Sequence, residues 1–129
     1  MSEEVEALIH PSDDGKFWAE VGGLPGCYAQ GDNYSKIIAN LRDAHELCSA
    51  SPSPATPTAT ALALPEGATV ADLISTLTPE GWAATGEASA VHQLLQHGDS
   101  GAKLCVPLDS DAVLNAGFRK AVTSYLAGT

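Results

Sequence analysis

Basic residues are scarce in this chain: 6 Lys and Arg stand against 16 Asp and Glu, a net charge of −10 over 129 residues. An isolated nucleic-acid binder normally carries a basic patch, because released counterions drive its affinity, so that class is disfavoured. No apolar run approaches the roughly 18 residues that a membrane-crossing helix needs. The opening Met1-Ser2-Glu3-Glu4 is acidic, whereas a secretory leader begins basic and turns apolar. The cytoplasm is therefore the expected location. Cysteines number three (Cys27, Cys48, Cys105), an odd and widely spaced set without a CxxC pair. That excludes a disulfide framework and a zinc signature and leaves packing thiols. No internal repeat and no phosphate-cradling motif is present, so Gly22, Gly23, Gly26 and Gly31 read as turn glycines.

What is present falls into two parts. Residues 1–66 carry −7 and residues 67–129 carry −3. Between them Ser49 to Thr60 is a Pro/Ser/Thr/Ala tract with three prolines, which cannot be helical and reads as an extended connector. Before it the pattern predicts strands at Val5–His10, Phe17–Val21 and Cys27–Gln30. A helix then runs over Tyr34–Cys48, with Asp32 or Asn33 as its cap. Ile37, Ile38, Leu41, Ala44 and Cys48 give that helix one apolar face. Thr60–Leu64 is the expected fourth strand. After the connector, Thr69 and Asp72 form a short capping box ahead of the stripe Val70, Leu73, Ile74 and Leu77. Strands follow at Trp82–Ala84, Val91–His97 and Lys103–Leu108. A last helix is expected over Asp111–Ala127, closed by Gly128 and weakened in its first turn by Gly117. Units of about 60 residues are marginal alone, so the two parts are expected to pack on each other, to oligomerise, or both.

Several side chains could be read as chemical groups. His92 and His97 are five apart and fall on opposite faces of one strand, so they do not pair. His45 reads as a half-buried structural histidine, and His10 has no neighbours that make a metal set. Trp18 and Trp82 read as core anchors, with an interface as the second option. Asp109 and Asp111 read as caps of the last helix.

The first part resembles the HicB family of antitoxins. The residues that carry this are Asp13-Asp14-Gly15, Phe17-Trp18-Ala19, Leu24-Pro25-Gly26-Cys27, Gln30-Gly31-Asp32 and the helical Asn40-Leu41-Arg42-Asp43-Ala44. The resemblance implies a β-β-β-α-β domain of partial ribonuclease-H-like fold over residues 1–66, without that enzyme's carboxylate set. The second part, residues 67–129, looks like a HicA toxin, an α-β-β-β-α domain of double-stranded-RNA-binding type. Here the resemblance lies in Leu73–Leu77, Gly81-Trp82, Val91-His92-Gln93-Leu94, Val106-Pro107 and Gly117-Phe118-Arg119-Lys120. In that family a Gly-Ser pair precedes the catalytic histidine. This chain has Ser89-Ala90 and then Val91, and His92 matches only the second histidine.

Cutting RNA requires one group to take the 2′-hydroxyl proton and another to protonate the leaving oxygen, and valine does neither. The resemblance thus implies a non-enzymatic antitoxin-like protein fused to an inactive toxin-like half. No catalytic residue is assigned, and His92 is the remaining candidate, for a self-inhibited ribonuclease or an RNA-binding module. The binding candidates are Asp13, Asp14, Trp18, Trp82, Lys103, Arg119 and Lys120. The expected partner is a basic HicA-type protein or a second copy of the chain. No cofactor, metal, membrane or direct nucleic-acid ligand is expected.

Overall fold

A computed structural model describes residues 7–21, 24, 26–51, 64–98 and 100–127. Three strands, β1 (Ala7–Pro11), β2 (Phe17–Val21) and β3 (Tyr28–Gly31), form an antiparallel sheet in the order β1-β2-β3. Their register places Ile9 opposite Ala19 and Ala19 opposite Ala29. Helix α1 (Tyr34–Ala50) follows. The Asn33 side chain caps it by accepting from the Lys36 N–H at 2.9 Å. The helix runs two residues beyond the expected Cys48, so Ser49 and Ala50 belong to it and not to the connector. The rest of the connector and most of the expected fourth strand, residues 52–63, lie outside the described residues, and Leu64 is in no strand.

The C-terminal half begins with α2 (Val70–Leu77). Thr69 and Asp72 make the reciprocal capping box that the sequence predicts. After a 3-10 turn at Thr78–Glu80, strands β4 (Trp82–Ala88), β5 (His92–His97) and β6 (Lys103–Pro107) form a second antiparallel sheet, and α3 (Ala116–Leu126) closes the chain. Three expectations shift here. β4 runs to Ala88, four residues beyond the expected Ala84, with an irregularity in its pairing between Ala84 and Ala88. β5 starts at His92 and not at Val91, because Ser89 to Val91 form a turn closed by the Ser89 N–H to His92 carbonyl bond at 2.9 Å. α3 starts at Ala116 and not at Asp111. Asp109 holds the intervening chain in a turn, Val113 bridges to Thr69, and Asn115 is the N-cap. The proposed cap at Gly128 lies outside the described residues.

Strand periodicity decides the architecture. Leu94 pairs with Cys105, and Leu95 with Leu104. Successive strand residues point to opposite faces, so these pairs face opposite sides of the second sheet. Leu95, Leu104, Val106 and Trp82 pack with Val70, Leu73, Leu77, Phe118 and Val122 of α2 and α3. Leu94 and Cys105 instead join Ala19, Val21 and Ala29 of the first sheet and Ile37, Leu41, Ala44, Leu47 and Cys48 of α1. The second sheet is therefore covered on both faces, by its own helices on one and by α1 on the other. Fully burying a leucine stabilises by about 1.5–3 kcal/mol, so Leu94 alone makes the contact between halves worth keeping.

Gly117, a weak point in the helical pattern, is required by packing. A Cβ there would lie 2.0 Å from Cδ1 of Trp18, so the indole of the first half lies directly on the first turn of α3.

Candidate functional site

The two halves meet at polar contacts that the sequence gives no local sign of. Asp43 sits on the solvent edge of α1, one residue before the buried Ala44. Its carboxylate accepts from Ser89 Oγ at 2.5 Å, from the backbone N–H groups of Ala90 and Val91 at 3.1 Å each, and from His92 Nδ1 at 2.8 Å. One side chain of the first half thus holds the whole segment 89–92 of the second. Burial raises the Asp43 carboxyl, but hydrogen bonds from Ser89, His92 and Val91, with the nearby His92 ring, outweigh it and hold the carboxyl below its ordinary value of 3.8.

A carboxylate can only accept, so His92 donates to it from Nδ1. His92 is 2% exposed, whereas the neighbouring Val91 is 44% exposed. Both line a groove of about 910 Å³ between the halves, together with Lys16, Gln30, Lys36 and Asn40. Asp32 lies between the two lysines, 3.6 Å from Lys16 and 3.9 Å from Lys36, and offsets part of their charge. His92 is the only histidine among the described groove residues. A single histidine paired to an aspartate can accept one proton, but it cannot by itself act as both base and acid in one strand-cleavage step.

A second set of contacts fixes the start of α3. Asp14 accepts from the Ala116 N–H and Ser12 Oγ from the Gly117 N–H, both at 2.9 Å. Asn115 accepts from the Phe118 N–H at 2.8 Å while its Nδ2 donates to the Phe17 carbonyl at 2.7 Å. Gln30 donates to the Val113 carbonyl and accepts from the Asn115 N–H, both at 2.8 Å. Two of the orphan N–H groups of this helix start, those of Ala116 and Gly117, are thereby satisfied from the other half of the chain, and that of Phe118 by the Asn115 cap.

The binding candidates do not gather at one place. Asp13, Trp18 and Lys120 line a cleft of about 550 Å³ beside the junction, with His10 stacked on Trp18 at 4.4 Å. Asp14 is committed to α3. Trp82 is buried against His97, ring centroids 5.5 Å apart. Lys103 contacts Ser51 and lies 3.5 Å from Glu87, and Arg119 donates to the Leu64 carbonyl at 3.4 Å. His45 is half-buried and bonds Ser49, as its helical position predicts. His97 is held by Ser100 and the Glu80 carbonyl, away from His92. Sequence reasoning missed Asp43 as a site residue. Its signal is faint: one acidic residue on the rim of an apolar helix face.

The three cysteines come together where the halves meet, although they are far apart in sequence. All are free and buried. Among the described residues no group of three His, Cys, Asp or Glu side chains is arranged to hold a metal ion, and no helix is long and apolar enough to cross a membrane.

Fold and junction together define an α+β protein in which two three-stranded antiparallel sheets share one helix. The UPF0150 protein ssr1258 of Synechocystis sp. is 37% identical over 46 residues, which cover 36% of this chain and 67% of that relative. Over that stretch the chain belongs to the UPF0150 family. No family model matches the chain, and no solved structure matches it significantly.

Proposed function

We propose that this is a HicB-like antitoxin-type binding protein, without enzymatic activity, whose C-terminal half is a HicA-like module that has lost catalysis and is engaged in cis. The observation that carries the reading is the Asp43 clamp. The helix of the antitoxin-like half covers the open face of the toxin-like sheet. Its carboxylate also holds the segment where an active relative would present its catalytic histidine. Val91 at that position and the −3 charge of residues 67–129 support the loss of RNA cleavage and of phosphate binding. The acidic surface suits a basic protein partner, since complementary charge speeds and orients encounter.

The test is titration of the full chain with small basic HicA-type proteins from the same genome. A one-to-one complex is expected, tighter with Asp43→Ala because that change frees the face now engaged in cis. Failure of both proteins to bind any of them refutes the reading.

The His92–Asp43 pair is the specific observation that favours a second reading, a self-inhibited ribonuclease. It requires RNA cleavage by the full chain carrying Asp43→Ala, which releases the inhibiting contact, and its abolition when His92→Ala is added. No cleavage, or cleavage that survives the substitution, removes it.

A further inference from the structure

We propose that the groove between the halves binds a small aliphatic monocarboxylate, its tail on Val91, Leu108 and Val113 and its head at His92 and the two lysines of the rim. The proposal rests on the geometry of the junction and not on the toxin–antitoxin reading.

Exposed apolar surface is concentrated here. Five large hydrophobic side chains are exposed among the described residues, and three of them line this groove: Val91 at 44%, Leu108 at 40% and Val113 at 50%. Backbone bonds hold all three. The Leu108 N–H donates to the Val91 carbonyl at 2.9 Å, the Val91 N–H to Asp43 at 3.1 Å, and the Val113 carbonyl accepts from Gln30 at 2.8 Å. The groove, about 910 Å³, is of the size that small-molecule pockets have, roughly 300–1,000 Å³.

A polar atom lies at its base. The His92 ring is 2% exposed and its Nδ1 is spent on Asp43 at 2.8 Å. Its Nε2 has no partner among the described residues. The sealed side-chain nitrogens without a partner are Trp82 Nε1 and Arg119 Nε. His92 Nε2 is not one of them, so it reaches solvent through the groove that the residue lines. A polar atom on a nearly buried ring, with nothing in the chain to bond it, calls for a partner from outside. A carboxyl group serves in either protonation state of the nitrogen: the carboxylate accepts from an N–H, and the acid donates to a bare nitrogen.

The rim favours one negative charge. Two of the six basic side chains of the protein, Lys16 and Lys36, line the groove. They stand 3.6 and 3.9 Å from Asp32, beyond hydrogen-bond reach, so their ammonium donors are unspent. Asp109 also lines the groove, and Asp43 stands behind His92. These carboxylates repel a dianion more than a monoanion, which selects a carboxylate head over a phosphate. Depth selects a small molecule over the face of a second chain. Val91 is open at the rim while the next residue is almost covered, so a slim ligand reaches the base and a broad protein surface rests on the rim.

The experiment titrates the full chain with sodium octanoate by calorimetry and follows the His92 ring nitrogens by NMR. Butyrate, hexanoate, octanol and octyl phosphate are run beside it. Octanoate is expected to bind one to one and to move the His92 signals, and affinity rises roughly fourfold for each CH2 buried along the carboxylate series. Octanol, which lacks the charge, binds about tenfold more weakly, and octyl phosphate also binds more weakly. Val91→Asp and Leu108→Asp, at exposed positions outside the core, weaken octanoate about tenfold with thermal midpoints near that of the parent. Replacing Lys16 and Lys36 together by alanine weakens octanoate and leaves octanol unchanged. Binding that does not saturate, equal affinity for octanol, tighter binding of octyl phosphate, or full affinity in both aspartate variants overturns the proposal. A dimer in sedimentation that Val91→Asp dissociates overturns it too, because a second copy then covers the groove.

Discussion

Replacing Asp43 by alanine removes four acceptor contacts at once and leaves His92, 2% exposed, facing the space they occupied. Hydrogen bonds to a charged group contribute about 1.5–3 kcal/mol each, but four on one carboxylate do not add. Leaving a buried donor without its acceptor costs about 1–3 kcal/mol, and more where the acceptor was charged. The Asp43 side chain keeps 14% exposure, which lets water replace part of the loss. The combined cost is about 3 kcal/mol, a large share of the roughly 5–15 kcal/mol that holds a domain folded.

Urea unfolding followed by tryptophan fluorescence reads this directly, because Trp18 and Trp82 report from the two halves. With a slope of about 1–3 kcal/mol per molar, the midpoint falls by about 1–3 M. Asp43→Asn retains an oxygen acceptor but turns an amide NH2 toward some of the donors, so its midpoint falls between the two. A shift below about 0.3 M for the alanine variant corresponds to under about 1 kcal/mol. That result refutes the view that this carboxylate clamps the halves.

Two further outcomes follow from the same contacts. Gly117→Ala, which helix propensity alone would make stabilising by about 1 kcal/mol, is expected instead to lower the thermal midpoint by several degrees. Its Cβ meets the Trp18 indole, and a higher midpoint would show that the indole moves aside freely. Acid should weaken the fold. Asp43 and Asp14 are both held below their ordinary 3.8, Asp14 by Ser12 first. Their contribution is therefore complete above the unfolded value of about 4. It is lost as pH falls through the lower folded values, and a stability that stays flat from pH 5 to pH 2 would contradict this.

Local elements were legible in the sequence because local chemistry sets them. Phe17–Val21 alternates around a β-branched and aromatic run, and the Thr69–Asp72 box needs only residues three apart. Where the reading slipped, a distant partner had intervened. Val91 leaves β5 because its N–H is taken by Asp43, 48 positions earlier. The first turn of α3 tolerates Gly117 because Trp18 occupies the space a side chain would need. The same cause hid the cysteine cluster: spacing along the chain carries no information about residues joined through two separate sheets. The opposite faces of His92 and His97 were legible, since the strand period alone dictates them.

Helix α1, which reaches from the first sheet onto the second, also has a meaning for how the protein is made. Synthesis proceeds from the N-terminus, and β5 and β6 are the last strands to emerge. Until they do, Asp43 lacks the donors of segment 89–92 and the part of α1 that faces Leu94 and Cys105 is uncovered. The later half in turn exposes His92, Leu94 and Cys105 unless that helix is already in place. Each half is the other's missing layer, so splitting the gene at the connector yields two fragments that each lack a wall of their core, and co-expression of both is what restores it.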